Sequence, residues 1–294
     1  MKSSLKGLFY TLVIFLCAFC LFLQIIPKQP SLLKTSTNPP TQKVKRLTYV
    51  ALGDSLTQGV GDETKRGGFV PLVSDQLQQA YQLSSIDYEN FGKAGDRSDQ
   101  ILARLKKSTT MQKSLKQANV ITLTCGGNDL LKVIKDNLFH LKKKTFKKPL
   151  KKYQRQVANL IEEIRKYNAH APIYLLGIYN PFYLNFPEFT QMQEIVDEWN
   201  QGTKQIAADY QAVYFIPIND LLYKGLDNQV GIVDSKADDL AANGESPTIS
   251  NHLLSEVDRF HPNNIGYRLM AQAVINEIKQ TEKIWQPKEW KKNE

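Results

Sequence analysis

Residues Leu47–Gly59 read LTYVALGDSLTQG, and the organisation of the whole chain follows from how this stretch is interpreted. Six residues with almost no polarity, three of them aromatic or β-branched, form a run of strand length. Its lack of alternation marks a strand buried on both faces, as in a parallel sheet covered by helices. Gly53-Asp54 then turns the chain, and Ser55 stands where a strand hands over to a helix, a place from which a hydroxyl and its own N–H face one small volume. Taken alone, Gly-Asp-Ser is an ordinary turn.

Further along, the same pattern repeats. Helical periodicity is expected over 68–81, a strand over 86–91, a helix over 97–107 and a β-branched strand over 118–124. An amphipathic helix over 153–167, a strand over 172–178, a helix over 189–210, a strand over 212–216 and a final helix over 265–278 complete it. Strands alternating with helices predict an α/β fold with a mostly parallel sheet, and reactive groups should collect beyond the carboxyl ends of its strands.

Three more segments fall at such places. Asn90-Phe91-Gly92-Lys93-Ala94-Gly95 follows the second strand, where Gly95 offers an unobstructed backbone N–H. Gly126-Gly127-Asn128-Asp129 follows the third, and Asn128 is an uncharged donor. Asp258-Arg259-Phe260-His261-Pro262-Asn263 precedes the last helix; a carboxylate three residues before a histidine can orient the ring and stabilise the imidazolium. An Asp–His cap at a helix start is the alternative for that segment. The Gly-x-Ser-x-Gly elbow of α/β-hydrolases is absent.

With GDSLTQG, NFGKAG, GGND and DRFHPN in order over residues 47 to about 281, the chain resembles the SGNH or GDSL hydrolase superfamily. That resemblance implies a flavodoxin-like three-layer α/β/α sandwich and a serine ester hydrolase needing no metal or cofactor. It assigns Ser55 as nucleophile, His261 as base oriented by Asp258, and an oxyanion hole of Ser55, Gly95 and Asn128. It implies a lipase/acylhydrolase, of lysophospholipase-like kind, with O-deacetylation of cell-wall glycan as the alternative and a non-catalytic binding protein as a reading from a different class.

Charge is unevenly distributed. The chain of 294 residues carries +9, but residues 1–46 alone carry +7 with no acid, and residues 130–155 carry ten Lys/Arg against Asp136. The remaining residues therefore carry −7, unlike a nucleic-acid binder with one basic face. Cys17 and Cys20 sit in an apolar run and Cys125 is the only other cysteine, so no disulfide forms within the domain and no zinc-ligand spacing exists.

The uncharged stretch between Lys6 and Lys28 predicts a transmembrane signal anchor within residues 1–26. As a helix, Leu8–Ile26 would span about 28 Å, and no small-residue cleavage site follows it. Lys2 and Lys6 favour a cytoplasmic N-terminus, while basic residues beyond the run are more numerous; the very short N-terminal tail and the function implied by the resemblance put the domain outside the cell membrane, with a cleaved, secreted form as the alternative. Residues 27–46 read as a Pro/Thr/Lys-rich stalk, 47–283 as the hydrolase domain and 284–294 as a polar tail.

Two segments bear on substrate. Residues 130–149 interleave apolar residues with lysines and are expected to form either a solvated helix with a flexible loop or a basic amphipathic element, the stretch 132–155 then facing anionic lipid or wall polymer. Residues 179–189 are aromatic and Pro-bounded. Tyr179, Phe182, Tyr183 and Phe186 are expected to wall an acyl or lipid-like ester, with packing under the loop as the competing reading.

Overall fold

The computed structural model describes residues 12–16, 18–19, 21–22, 45–137, 142–184, 191–224, 232–233, 249–287 and 290. The chain divides into two units, Met1–Lys43 and Val44–Glu294. In the first, residues 12–16, 18, 19, 21 and 22 are helical, with Leu12, Ile14, Phe15, Leu16, Phe19 and Phe22 exposed. Among the described residues no helix is long and apolar enough to cross a membrane. Most of the predicted span Leu8–Ile26 lies outside them.

The second unit is built on five parallel strands: β1 (Arg46–Gly53), β2 (Ser85–Gly92), β3 (Val120–Thr124), β4 (Ile173–Leu176) and β5 (Val213–Ile216), in the order β2-β1-β3-β4-β5. The LTYVAL run is thus a central strand. Its alternate side chains serve two cores: Leu47, Tyr49 and Ala51 enter one, Val50 and Leu52 the other. That is why the run shows no polar alternation.

Helices cover both faces. On the Tyr49 side lie α2 (Phe69–Ala80) and α9 (Asn264–Gln280), burying Phe69, Val73, Tyr267 and Met270. On the Val50 side lie α3 (Ser98–Lys107), α4 (Thr109–Gln117), α5 (Gly127–Asp136), α6 (Lys143–Tyr167) and α7 (Met192–Ala208). Short helices α1 (Ser55–Gln58), α8 (Asn219–Tyr223) and α10 (Glu282–Trp285), a 3₁₀ turn at Phe182–Leu184 and a two-stranded pair, β6 (Ile232–Val233) with β7 (Ile249–Ser250), complete the described elements. The described sheet is parallel and layered by helices, as expected.

Two of the longer helices differ from the sequence reading. Helix α6 begins at Lys143, ten residues before the expected Tyr153, because the lysine-rich stretch carries Phe146 into the core and its lysines are good helix formers. It tolerates Pro149, which removes one helical N–H donor. Helix α4 also went unpredicted; its buried face is only Met111 and Leu115, too sparse to register as a period, and its start depends on the Ser108 side chain accepting from Met111 N.

Candidate active site

All four predicted segments meet beyond the carboxyl ends of β1, β2 and β3. Gly53 ends β1 against Thr124 Oγ1 and Thr57 Oγ1, leaving no room for a Cβ. Asp54 caps α1 by accepting from Leu56 N at 3.0 Å and from Thr124 Oγ1 at 2.8 Å. Burial raises the Asp54 carboxyl above its ordinary value despite those two donors. The result holds Ser55 at the first position of α1, where a helix N–H has no intrahelical acceptor.

The NFGKAG segment is tied to the same turn. Asn90 Nδ2 donates to Thr57 O at 2.7 Å, Lys93 N to Gly53 O at 3.0 Å, and Ala94 N to Gln58 Oε1 at 2.6 Å. Gly95 has φ of +82°, and an added Cβ would meet nothing within 4 Å. Glycine is required there for conformation rather than for space.

The third segment opens α5. Gly126 has φ of +112°, and a Cβ on it would come 2.6 Å from Tyr153 Oη. Asn128 Nδ2 donates to Asp96 O at 3.0 Å, which fixes the amide plane and leaves its second N–H for a ligand.

The fourth segment brings the base. His261 Nε2 lies 2.9 Å from Ser55 Oγ, and His261 Nδ1 lies 2.6 Å from Asp258 Oδ2. Asp258 Oδ1 accepts from the backbone N–H groups of Phe260 and His261, both at 3.0 Å. Partial burial disfavours the Asp258 carboxylate, but the His261 ring and these two amides outweigh it and hold the carboxyl below its ordinary value. With Asp258 ionised, Nδ1 carries the ring proton and the Nε2 lone pair faces the Ser55 hydroxyl, an arrangement able to take a proton from serine. The alternative of an Asp–His helix cap does not hold. Asn263 caps α9, its Oδ1 accepting from Ile265 N at 2.9 Å and Gly266 N at 3.1 Å.

Ser55, Gly95, Asn128 and His261 line one open cleft of about 510 Å³, with Leu131, Phe182 and Phe260 as its apolar walls. A second, narrow pocket of about 40 Å³ adjoins Ser55, lined by Leu56, Cys125, Leu130, Tyr179 and Phe182 among others. Of the four aromatic candidates, Phe182 lines both and Tyr179 the narrow pocket. The Tyr179 hydroxyl also donates to Phe260 O, propping the loop that carries His261. Tyr183 lines neither cavity; its Oη accepts from Asn251 Nδ2 at 2.8 Å and its ring packs edge-on against Tyr223 at 4.9 Å. For Tyr183 the packing alternative is the one observed. Phe186 lies outside the described residues. Cys125 is buried, and burial, with Asp129 and Asp54 nearby, pushes its thiol well above the ordinary value, so it is no rival nucleophile.

The residue that sequence reading missed is Arg104. From α3 its Nε reaches Asp96 Oδ2 at 2.8 Å, Nη1 reaches Phe91 O at 2.9 Å and Nη2 reaches Gly53 O at 3.0 Å. One guanidinium thereby ties the ends of β1 and β2 to the Asp96 loop that orients Asn128. Arg104→Leu is expected to cost about 3 kcal/mol, since it leaves two carbonyls and a largely buried carboxylate without their donor. Urea unfolding followed by circular dichroism measures this.

Residues 51–269 match the GDSL-like Lipase/Acylhydrolase family. The chain belongs to that family. Among its relatives is the Bacillus subtilis protein YpmR, 32% identical over 240 residues that span 81% of this chain and 84% of that one. The spore germination lipase LipC of Bacillus licheniformis is 27% identical over 232 residues, 78% of this chain and 94% of LipC. The crystal structure of the lipase Lip_vut3 from a goat rumen metagenome superposes with a TM-score of 0.59 at 26% identity, covering 78% of this chain and 95% of that one. A GDSL-like hydrolase of ester bonds is therefore the activity class to which the site belongs.

Proposed function

We propose that this GDSL-like hydrolase cleaves lipid-like carboxylic esters through an acyl-enzyme on Ser55. The Ser55 hydroxyl attacks the ester carbonyl carbon as His261 Nε2 takes its proton. The oxyanion is held by the N–H groups of Ser55 and Gly95 and by Asn128 Nδ2. The intermediate then collapses: the carbon–oxygen bond to the alcohol breaks, His261 protonates the departing oxygen, and the acyl group stays on Ser55. Water, deprotonated by His261, attacks the acyl-enzyme and releases the acid, returning the proton to Ser55.

The observation that carries the lipid-like reading is the cleft itself. About 510 Å³ walled by Leu131, Phe182 and Phe260 beside the reacting hydroxyl suits an apolar chain, and LipC and Lip_vut3 are both named as lipases. The second reading, O-deacetylation, draws support from the narrow pocket of about 40 Å³, which suits a group of acetyl size. A p-nitrophenyl ester series from acetate to decanoate separates them. Rising kcat/KM up to medium chains is expected; activity confined to acetate would replace the lipid reading by deacetylation.

In the same proposal, residues 1–26 anchor the chain in the cell membrane with the catalytic domain on the outer face. Support comes from the uncharged run between Lys6 and Lys28 and from the exposed apolar side chains of its described helical residues. Protease treatment of intact cells tests it: release of an active domain is expected, and a protected chain contradicts the orientation.

For Asn128→Ala, loss of one oxyanion donor is expected to lower kcat by about 10²–10³ with the fold retained. Steady-state kinetics with circular dichroism checks both halves of this expectation.

A further inference from the structure

Residues 59–68, read as GVGDETKRGG, form an irregular loop between α1 and α2 that supplies no group to the proposed reaction. One end hangs from the nucleophile: Gly59 N and Val60 N both donate to Ser55 O, at 2.9 and 3.0 Å. The next residue lies against the base. Gly61 has φ of +91°, and a Cβ on it would come 2.5 Å from Pro262 O and 3.0 Å from His261 Cβ. Two further ties reach the start of α9, Tyr267 Oη donating to Val60 O at 2.6 Å and Glu63 N to Asn264 Oδ1 at 2.9 Å. The loop thus runs from the backbone of Ser55 to that of His261, whose side chains meet at 2.9 Å.

One side chain gives this loop its shape. Asp62 Oδ2 accepts from three successive backbone N–H groups, those of Arg66 and Gly67 at 3.1 Å and of Gly68 at 3.0 Å. Asp62 Oδ1 accepts from Thr64 N at 3.0 Å and Thr64 Oγ1 at 2.6 Å. Successive N–H groups that converge in this way form a nest for an anion, and here the chain supplies the anion itself. Partial burial opposes the charge, but the Thr64 hydroxyl and the amides outweigh it and hold the Asp62 carboxyl below its ordinary value. An asparagine has the same shape but a single accepting oxygen, so either the three nest amides or the two Thr64 donors would face an NH₂ group.

We propose that Asp62 is a positioning residue for catalysis: its carboxylate sets the shape of the 59–68 loop, and through Gly61 the loop holds His261 at its distance from Ser55. The proposal rests on Ser55 and His261 being nucleophile and base. Asp62 itself touches neither of their reacting atoms. Its leverage is geometric, since a shift of about 1 Å between reacting groups can cost about 10²-fold in rate.

The test follows the time course of fluorophosphonate labelling of the full chain in neutral detergent, alongside steady-state hydrolysis of a p-nitrophenyl ester. For Asp62→Asn the labelling rate constant and kcat are expected to fall together by about tenfold or more. KM should change little, and labelling should still reach one adduct per chain. Asn264→Ala removes only the exposed tie to Glu63 N and should show a smaller loss of the same kind; it decides the question if Asp62→Asn does not fold. A loop that merely stabilised the fold would lower the labelling end point, through a smaller folded fraction, and leave the rate constant of the folded molecules as it was. That result overturns the proposal, as does a rate constant unchanged in both variants. A native chain that takes no label at all would overturn it together with the assignment of Ser55 and His261, whereas equal labelling of native chain and variants would leave that assignment standing.

Discussion

Ser55→Ala is expected to lower kcat by about 10⁶ while leaving the unfolding transition nearly where it was. The size follows from the way the groups act as a unit: without the nucleophile, His261 and Asp258 have nothing to activate, and only the oxyanion donors and substrate binding remain. The fold should tolerate the change because the Ser55 side chain makes a single described hydrogen bond, to His261, whereas the turn is held by Asp54, Thr57 and Thr124. Progress curves at high enzyme concentration measure the residual rate. A loss of only tenfold would mean that the ester is cleaved by some other group.

Asp258→Asn is expected to lower kcat by about 10⁴ with little change in KM. The carboxylate accepts from Nδ1–H and so keeps the Nε2 lone pair toward Ser55. An asparagine amide can instead donate to Nδ1, which moves the ring proton to Nε2 and leaves no base facing the serine. The substitution has a second signature. Asp258 has a depressed value in the folded chain, so its contribution to stability is fully present above the ordinary carboxylate value and is lost as the pH falls through the depressed one. Removing the carboxyl should remove that contribution to acid destabilisation, which a pH series of thermal melts reads directly.

Much of the site was legible because its chemistry is packed into short segments. Ser55, Asn128 and the Asp258/His261 pair each sit within a few residues of a strand end or helix start that apolar runs already mark. The parallel sheet was legible for a similar reason, since LTYVAL and VITLT are buried on both faces and cannot be amphipathic strands. What escaped was set by contacts distant in sequence. Arg104 looks like any helix arginine until β1, 51 residues earlier, brings Gly53 O to it. The direction of Tyr183 could not be read from a loop rich in aromatics, because nothing periodic ties a loop side chain to one face; its place was decided by Asn251 and Tyr223. The lysines of α6 concealed where that helix begins because charge suggests a solvated segment, yet Phe146 on the same stretch supplies a buried anchor.

Arg104 and Asn128 also show how stability and chemistry share parts here. The arginine holds Asp96 through its side chain, and Asp96 holds Asn128 through its carbonyl. A variant at Arg104 should therefore lose both stability and turnover, whereas one at Asn128 should lose turnover alone.

The most direct test of the central proposal is intact-mass analysis of the full chain after exposure to a serine-directed fluorophosphonate, followed by peptide mapping. A single covalent adduct is expected, on the peptide carrying Ser55, absent from Ser55→Ala and slowed in His261→Ala. An unlabelled native chain, or equal labelling of Ser55→Ala, would contradict it.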